Sequence, residues 1–269
     1  MGTERPVSIL IATYNAEKFI GKTLRSCLDQ TYCDIEILVR DNNSADNTVA
    51  VIEAIKSDKI KLFKGETNIG PYAGLNFLLE KAKGDYIAIQ DHDDIWFPEK
   101  IEKQVEFMGK NEEFVGCGTD TFYFFENEKL FALKKFKKVE NYINHTSLMF
   151  RNKGFRYKTD INLPEYFFEK QILSASGRIG CIQDGLTIHR IRNDGKNFSK
   201  KSKLSGKENF DFLKMNNFSL KSAIFVVYLA IRKFMPKCMV WFMRKHVTMR
   251  KSEWLSEDEF TKKFPQINF

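Results

Sequence analysis

The chain has 269 residues, 43% of them hydrophobic, enough to bury a full α/β core in one large domain or in one domain with an appendage. The net charge of +8 is uneven, since Lys200 to Phe269 holds 15 Lys and Arg against 6 Asp and Glu and the rest is nearly neutral. No apolar run reaches the ~18 residues of a membrane span. The opening MGTERPVSILIATYN runs straight into a strand pattern, so no secretory leader is expected. Five scattered cysteines with no CxxC pair suggest free thiols in a reducing compartment and argue against a cysteine-built zinc site.

Residues 7–12 (VSILIA) read as a buried strand. Apolar residues at helical spacing over 16–30 (Phe19, Ile20, Leu24, Cys27, Leu28) predict a helix. Residues 35–39 form a second strand, and Asp46 reads as the N-cap of a helix over 48–56. A third strand over 60–63 precedes a helix over 72–83 that Gly84-Asp85 stops. A fourth strand over 86–90 is followed by a helix that starts at Pro98. Alternation of strand and helix about every 25–30 residues predicts a doubly wound, mostly parallel sheet. Beyond Glu113 the pattern changes. Residues 114–125 and 130–138 read as strands joined by a hairpin, 146–151 as a strand, 165–176 as a helix, and 179–182 and 186–188 as short strands. A basic loop over 196–207 leads to an apolar but charge-interrupted helical stretch over 218–245. These features divide the chain into a domain over 1–199 and a basic extension over 200–269.

In such sheets ligands bind at the carboxyl ends of the strands. Three polar clusters fall there: Thr13-Tyr14-Asn15, Asp41-Asn42-Asn43 and Asp91-His92-Asp93-Asp94. Three carboxylates packed behind a buried strand repel one another unless positive charge meets them. Asp91 and Asp93 suit a hard divalent cation shared with a phosphate-bearing substrate, Mn2+ or Mg2+. An isolated cluster of this kind is often just an acidic turn, with Asp94 capping the next helix. His92 is as well suited to support a ligand as to be one. Asp41 can accept a hydrogen bond from a base or ribose, or make a plain Asx turn.

The segments VSILIATYN, ILVRDNNSADNT, NIGPYAGLN and GDYIAIQDHDDIWFPEKI together resemble the family 2 glycosyltransferases of the inverting GT-A fold, over roughly residues 6–192. The DHDDIW form is similar to bacterial polysaccharide rhamnosyltransferase-like members. The resemblance implies that Thr13 and Tyr14 contact the nucleotide and that Asp41 bonds the base. It also implies that Asn68, Gly70 and Asn76 border the nucleoside pocket, and that Asp91 meets ribose and metal while Asp93 holds the metal. Asn15, Asn43, Gln90 and His92 complete the expected donor-binding set, and Asp94 is a cap or a catalytic contact to the sugar.

An inverting transfer needs a general base for the acceptor hydroxyl. Family members carry an acidic pair eleven or twelve residues before the Gly of a segment like SGRIGCI. Here Glu165-Tyr166 stands there, and a tyrosine with a pKa near 10 is a poor base. Glu165 is the substitute, unless it serves only as first-turn charge. Asp160 is a weaker candidate. Where related members show Tyr-Arg-x-His, this chain reads His189-Arg190-Ile191-Arg192. A guanidinium cannot ligate metal but can hold a diphosphate in bidentate fashion, so Arg190 and Arg192 are expected to clamp the diphosphate, or else to form a basic strand edge.

The expected activity is transfer of a hexosyl or deoxyhexosyl unit from a nucleotide-diphosphate sugar to a glycan or lipid-linked acceptor, in bacterial surface polysaccharide synthesis. The alternative is a non-catalytic nucleotide-sugar-binding relative, which Tyr166 motivates. The expected location is cytoplasmic and peripheral at the inner face of the cell membrane. Residues 218–245 would there bind an anionic surface or instead cap a protein surface. The basic tail has no nucleic-acid reading motif, and no nucleic-acid partner is expected.

Overall fold

The computed structural model describes residues 5–140, 143–161, 164–175, 177–192, 227, 253–267 and 269. The loop over 196–207 and, Val227 apart, the stretch over 218–245 lie outside the described residues. Among the described residues no helix is long and apolar enough to cross a membrane.

The first half is a parallel α/β unit. Strand β1 (Val7–Thr13) lies between β2 (Ile35–Asp41) and β4 (Tyr86–Ile89), and β3 (Ile60–Lys64) flanks β2, all parallel. Alternate side chains of these strands enter two different cores. Val7, Ile9 and Ile11 pack on one face with Ile20 and Leu24 of helix α1 (Ile20–Leu28) and Ile52 of α2 (Thr48–Ala54). Leu10 and Leu38 pack on the other with Leu75 and Leu78 of α3 (Pro71–Lys81). A sheet covered on both faces needs apolar runs without alternation, which is how VSILIA reads. Gly70, at φ 83, makes the left-handed turn into α3, and Pro71 takes the first helical position.

The strand order β3-β2-β1-β4 reverses direction between β1 and β4. In-register pairing sets Thr13 beside Asp41, and the DHDD loop leaves β4 next to them. The switch point therefore gathers the three polar clusters at one edge, as expected for an open α/β sheet.

The second half adds mixed pairing. Beyond β4 come β9 (Met149–Arg151), β6 (Phe114–Phe125), β7 (Leu130–Lys134) and β11 (Glu253–Ser256), each antiparallel to its neighbour. A 3-10 turn, His145–Ser147, precedes β9. Helix α4 (Lys100–Lys110) and helix α5 (Pro164–Ser174) cover opposite faces. The two short strands expected near 179 and 186 are one long strand, β10 (Arg178–Ile191), parallel to β6 with register shifts around Ile182, Gly185 and Thr187 and antiparallel to the two-residue β8 (Val139–Glu140). A β-carbon on Gly185 would lie 2.5 Å from the Phe122 ring, so the sheet closes over this bulge only with glycine there.

A two-residue strand that the sequence reading missed, β5 (Ile95–Trp96), pairs antiparallel with β10, Ile188 against Ile95. One step further along that register puts His189 beside Asp94. At the chain's end, helix α6 (Glu257–Lys263) starts in a capping box of Ser256 and Glu259. Its Phe260 stacks on Phe131 at 3.8 Å and packs against Phe122. Part of what the sequence sets apart as an extension thus belongs to the sheet's aromatic core.

Lys100 is a buried charge in the core that holds Ile9, Ile20 and Trp96. It is fully buried, donates to Gln104 Oε1 at 2.8 Å and lies 3.7 Å from the centroid of Trp96. Burial pushes its ammonium down to about 7. At this site the unfolded chain therefore holds more protons than the folded one between pH 7 and pH 10, and the site's contribution to stability rises with pH across that window. That contribution grows by ~2 kcal/mol from pH 7 to pH 9 and is read as the difference between wild type and Lys100→Met in denaturant unfolding, because His145, raised to about 9, contributes with the opposite sign over the same window. The stability difference between the two proteins should therefore shift in favour of wild type across the window, and parallel pH dependences would show that Lys100 is not the source.

Candidate active site

The loops after β1 and β2 are tied to each other. Asn15 and Asn43 both sit in the left-handed region, at φ 49 and 62, a conformation that asparagine tolerates better than most residues. Asn15 donates its N–H to Ser44 Oγ and accepts from Ala45 N–H, both at 2.9 Å. Asp41 is buried and accepts from the backbone and hydroxyl of Ser44. Thr13 is buried beneath the loop, whereas Tyr14 stands 43% exposed and presents an aromatic face at the edge. Asp46, expected to be the N-cap of α2, stands one residue before it: the N-cap is Asn47, and Asp46 accepts from Thr48 N–H. Asn68 accepts from Gly70 N–H and shapes the turn ahead of α3.

Two expected donor contacts are committed elsewhere. Asn76 pairs with both backbone groups of Tyr157, at 2.8 and 2.9 Å, and so fastens α3 to the segment before α5 rather than bordering a nucleoside pocket. Gln90 is buried, accepts from Thr146 Oγ1 and donates to the Asp94 carbonyl, so it braces the acidic loop from behind. His92 is half-buried, and its carbonyl accepts from Thr23 Oγ1.

Within DHDD the three carboxylates have different partners. Asp91 is 39% exposed and lies 3.7 Å from His145 Nδ1. Asp93 forms an ion pair with Arg192 Nη2 at 3.0 Å, although it was expected to be the metal ligand. Asp94 is fully buried and does not cap α4, whose N-cap is Glu99. Its oxygens accept from Arg190 N–H and bond His189 Nδ1, both at 2.8 Å. Desolvation and the charges of Asp93 and Asp91 raise its carboxyl above the usual range, against the pull of His189. Burial would raise the Asp91 carboxyl too, but His145, His189 and His92 hold it below its usual range.

Arg190 was expected to clamp a diphosphate. Its guanidinium instead bonds the Asp93 carbonyl at 3.1 Å and Glu126 at 2.9 Å, between the rings of Phe19 and Phe124. It locks the acidic loop to β10.

The second half of the site converges on His145, which the sequence reading did not single out. This imidazole is 5% exposed, with Nε2 2.8 Å from Tyr157 Oη and Nδ1 3.9 Å from Glu165 Oε1. Burial alone would push it down, but Glu165 and Asp91 raise it to about 9, so it is an imidazolium at neutral pH. Glu165, 33% exposed, also accepts from Tyr72 Oη at 2.9 Å. Tyr166 points elsewhere, with Lys170 over its ring, and Asp160 is exposed. Glu165 is thus the residue of its pair that meets His145, the side chain Asp91 also faces. The only cue to His145 was a histidine just before the strand antiparallel to β4, a placement visible only once β9 is paired.

A ligand set for a divalent ion is present. Among the described residues Asp91, Asp94 and His189 offer ligand atoms that all lie within 4.8 Å of one another. Two carboxylate oxygens and an imidazole nitrogen suit Mn2+ better than Mg2+, which prefers oxygen alone.

A family model, Glycosyl transferase family 2, matches residues 8–169, more than half of the chain. An uncharacterized glycosyltransferase of Haemophilus influenzae is 38% identical over 136 residues, 50% of this chain and 54% of the relative. The UDP-Glc:alpha-D-GlcNAc-diphosphoundecaprenol beta-1,3-glucosyltransferase WfaP of Escherichia coli is 43% identical over 102 residues, 38% of this chain and 41% of that protein. The chain therefore spans only about half the length of these relatives. Among solved structures, the mannosyltransferase PcManGT of Pyrobaculum calidifontis, in complex with GDP-Man and Mn2+, superposes with a TM-score of 0.62 at 15% identity, covering 89% of this chain and 84% of that one. That likeness concerns the fold, a GT-A fold. With the family model matching over β1 to α5, the chain belongs to glycosyl transferase family 2.

Proposed function

We propose that this chain transfers a hexosyl or deoxyhexosyl unit, with inversion, from a nucleotide-diphosphate sugar to a hydroxyl of a glycan or lipid-linked acceptor in bacterial surface polysaccharide synthesis. The observation that carries the reading is the meeting of Asp91 and Glu165 on one imidazolium, 3.7 and 3.9 Å from His145 Nδ1. A base must stand across the reacting carbon from the leaving diphosphate. Asp91 marks the donor side and Glu165 the acceptor side of such a gap.

Tyr14 offers a face for a base, and buried Asp41 supports the loop beneath it. Glu165 takes the acceptor proton on a carboxylate that Tyr72 orients. Asp91, with His189 and Asp94 behind it, would hold Mn2+ or Mg2+, which when bound supplies Lewis-acid stabilisation of the leaving diphosphate. The lipid-linked acceptor in the name of the Escherichia coli relative supports the acceptor class. A peripheral position at the inner face of the membrane, through residues 218–245, belongs to the same reading.

The test is the purified full chain with Mn2+, a panel of nucleotide sugars and undecaprenyl-diphosphate-linked acceptors in anionic liposomes. One donor should be consumed, with product on the liposome-bound acceptor and protein in the pellet at low salt. Asp91→Ala should abolish turnover. Tight nucleotide binding without turnover on any pair would sink the transferase reading and leave the non-catalytic one. Protein that stays in the supernatant would remove the membrane role.

A further inference from the structure

The 3-10 turn His145–Ser147 is buried although all three of its side chains are polar, which costs stability unless the polar atoms find partners. Thr146, at its centre, has every polar atom in use. Its N–H donates to Asn144 Oδ1 at 3.2 Å, and its carbonyl accepts from Trp96 Nε1 at 2.8 Å. Its hydroxyl donates to Gln90 Oε1 and accepts from Asp91 N–H at 3.3 Å. Three of these four partners, Gln90, Asp91 and Trp96, bracket the DHDD loop. The indole of Trp96, in the DHDDIW stretch, thus reaches out of its own loop to this turn. The far side of the turn is fastened to α5, where Ile143 N–H donates to Glu169 at 3.0 Å, one helical turn along from Glu165. His145 stands between the two fastenings. Its Nε2 is bonded to Tyr157, and its Nδ1 faces Asp91 and Glu165.

We propose that Thr146 is a positioning residue that sets the gap in which transfer occurs: by tying the His145 turn to the loop that carries Asp91, it fixes the distance from the donor-side carboxylate to the base, Glu165. This rests on the transferase reading above and deepens it. The spacing is then built into the chain before any substrate binds. The hydroxyl carries the role rather than the methyl, because Oγ1 makes both side-chain bonds, to Gln90 and to the Asp91 main chain. A displacement of about 1 Å between reacting groups can cost about 10²-fold in rate. Nucleotide affinity is spared, because the loops after β1 and β2, with Tyr14 and Asp41, are held by bonds of their own.

The test compares wild type, T146V and T146S as full chains, with thermal melts to give the folded fraction. Nucleotide binding is titrated with UDP, GDP and dTDP in Mn2+. Single-turnover transfer is measured at saturating donor, with the nucleotide sugar that wild type consumes from a panel of UDP-, GDP- and dTDP-hexoses and with undecaprenyl-diphosphate-linked acceptors in liposomes. T146V keeps nearly the same shape but loses both hydroxyl bonds. It should transfer about 10- to 100-fold more slowly per folded molecule, with nucleotide affinity within about threefold of wild type. T146S, which keeps the hydroxyl and loses the methyl, should transfer within about threefold of wild type. A residue serving stability alone would lower the folded fraction and leave transfer per folded molecule unchanged. T146V transfer within about twofold of wild type, T146S as slow as T146V, or a loss of affinity as large as the loss of transfer each overturns the proposal. If T146V does not fold, T146A, which loses the same two bonds, takes its place and faces the same outcomes. Wild type without turnover on any donor overturns the transferase reading and this inference with it, whereas turnover that T146V leaves unchanged overturns this inference alone.

Discussion

Glu165→Gln is expected to reduce sugar transfer by about 10²- to 10⁴-fold, the usual worth of a general base, while affinity for the donor stays within about twofold. Glutamine is nearly isosteric. Its carbonyl oxygen can still accept from Tyr72 Oη, so the Tyr72 contact and the first turn of α5 survive. It cannot take a proton from the acceptor hydroxyl. The readout is single-turnover transfer beside a nucleotide-binding titration on the same protein. A carboxylate serving only as first-turn charge is worth about 0.3–1 kcal/mol of stability and nothing in turnover. Transfer retained with a slightly lower Tm would therefore return Glu165 to that structural role. Tyr72→Phe should give a milder loss, because it removes the orienting hydrogen bond and leaves the base.

Much of the fold could be read from the chain because its first half is built from local signals. VSILIAT, the Gly70-Pro71 helix start and the stop at Gly84-Asp85 each depend on a few adjacent residues. The periodicity of β1 to α3 and the switch-point rule then bring the three polar clusters together. The second half depended on pairing across long stretches of chain. That β10 is one bulged strand, and that His189 faces Asp94, follows from Ile188 lying opposite Ile95, ninety-three residues away. No local pattern reveals it. The same limit explains the donor residues placed differently from expectation. Asn76, Gln90 and Arg190 are polar groups at the right ends of the right elements, but each bonds a neighbour that only the assembled sheet brings near. The charge repulsion in DHDD was correctly seen as needing compensation. The compensation found comes from His145, Arg192 and His189, residues 54 to 99 positions downstream of their partners.

His145→Gln is expected to show a deficit in transfer that depends on pH in a particular direction. In the wild type the imidazolium separates two carboxylates, Asp91 and Glu165, and its pKa of about 9 keeps it charged through neutral pH. Glutamine can still reach Tyr157 Oη but carries no charge. Without the imidazolium the two carboxylates repel each other, and Asp91, which His145 helps to hold below its usual range, takes up a proton at higher pH than before. A protonated Asp91 no longer serves the donor side. The acid limb of the pH–rate profile should therefore move up by about 1–2 pH units, with the largest loss near pH 6 and partial recovery by pH 8–9. Stability follows the same sign. A histidine raised above its ordinary value near 6.5 contributes stability that is complete below that value and lost as pH rises through about 9. The gap in Tm between wild type and variant should accordingly close over that range. A role confined to packing gives a deficit of equal size at every pH, and parallel profiles for the two proteins would reduce His145 to a spacer between Tyr157 and the acidic loop.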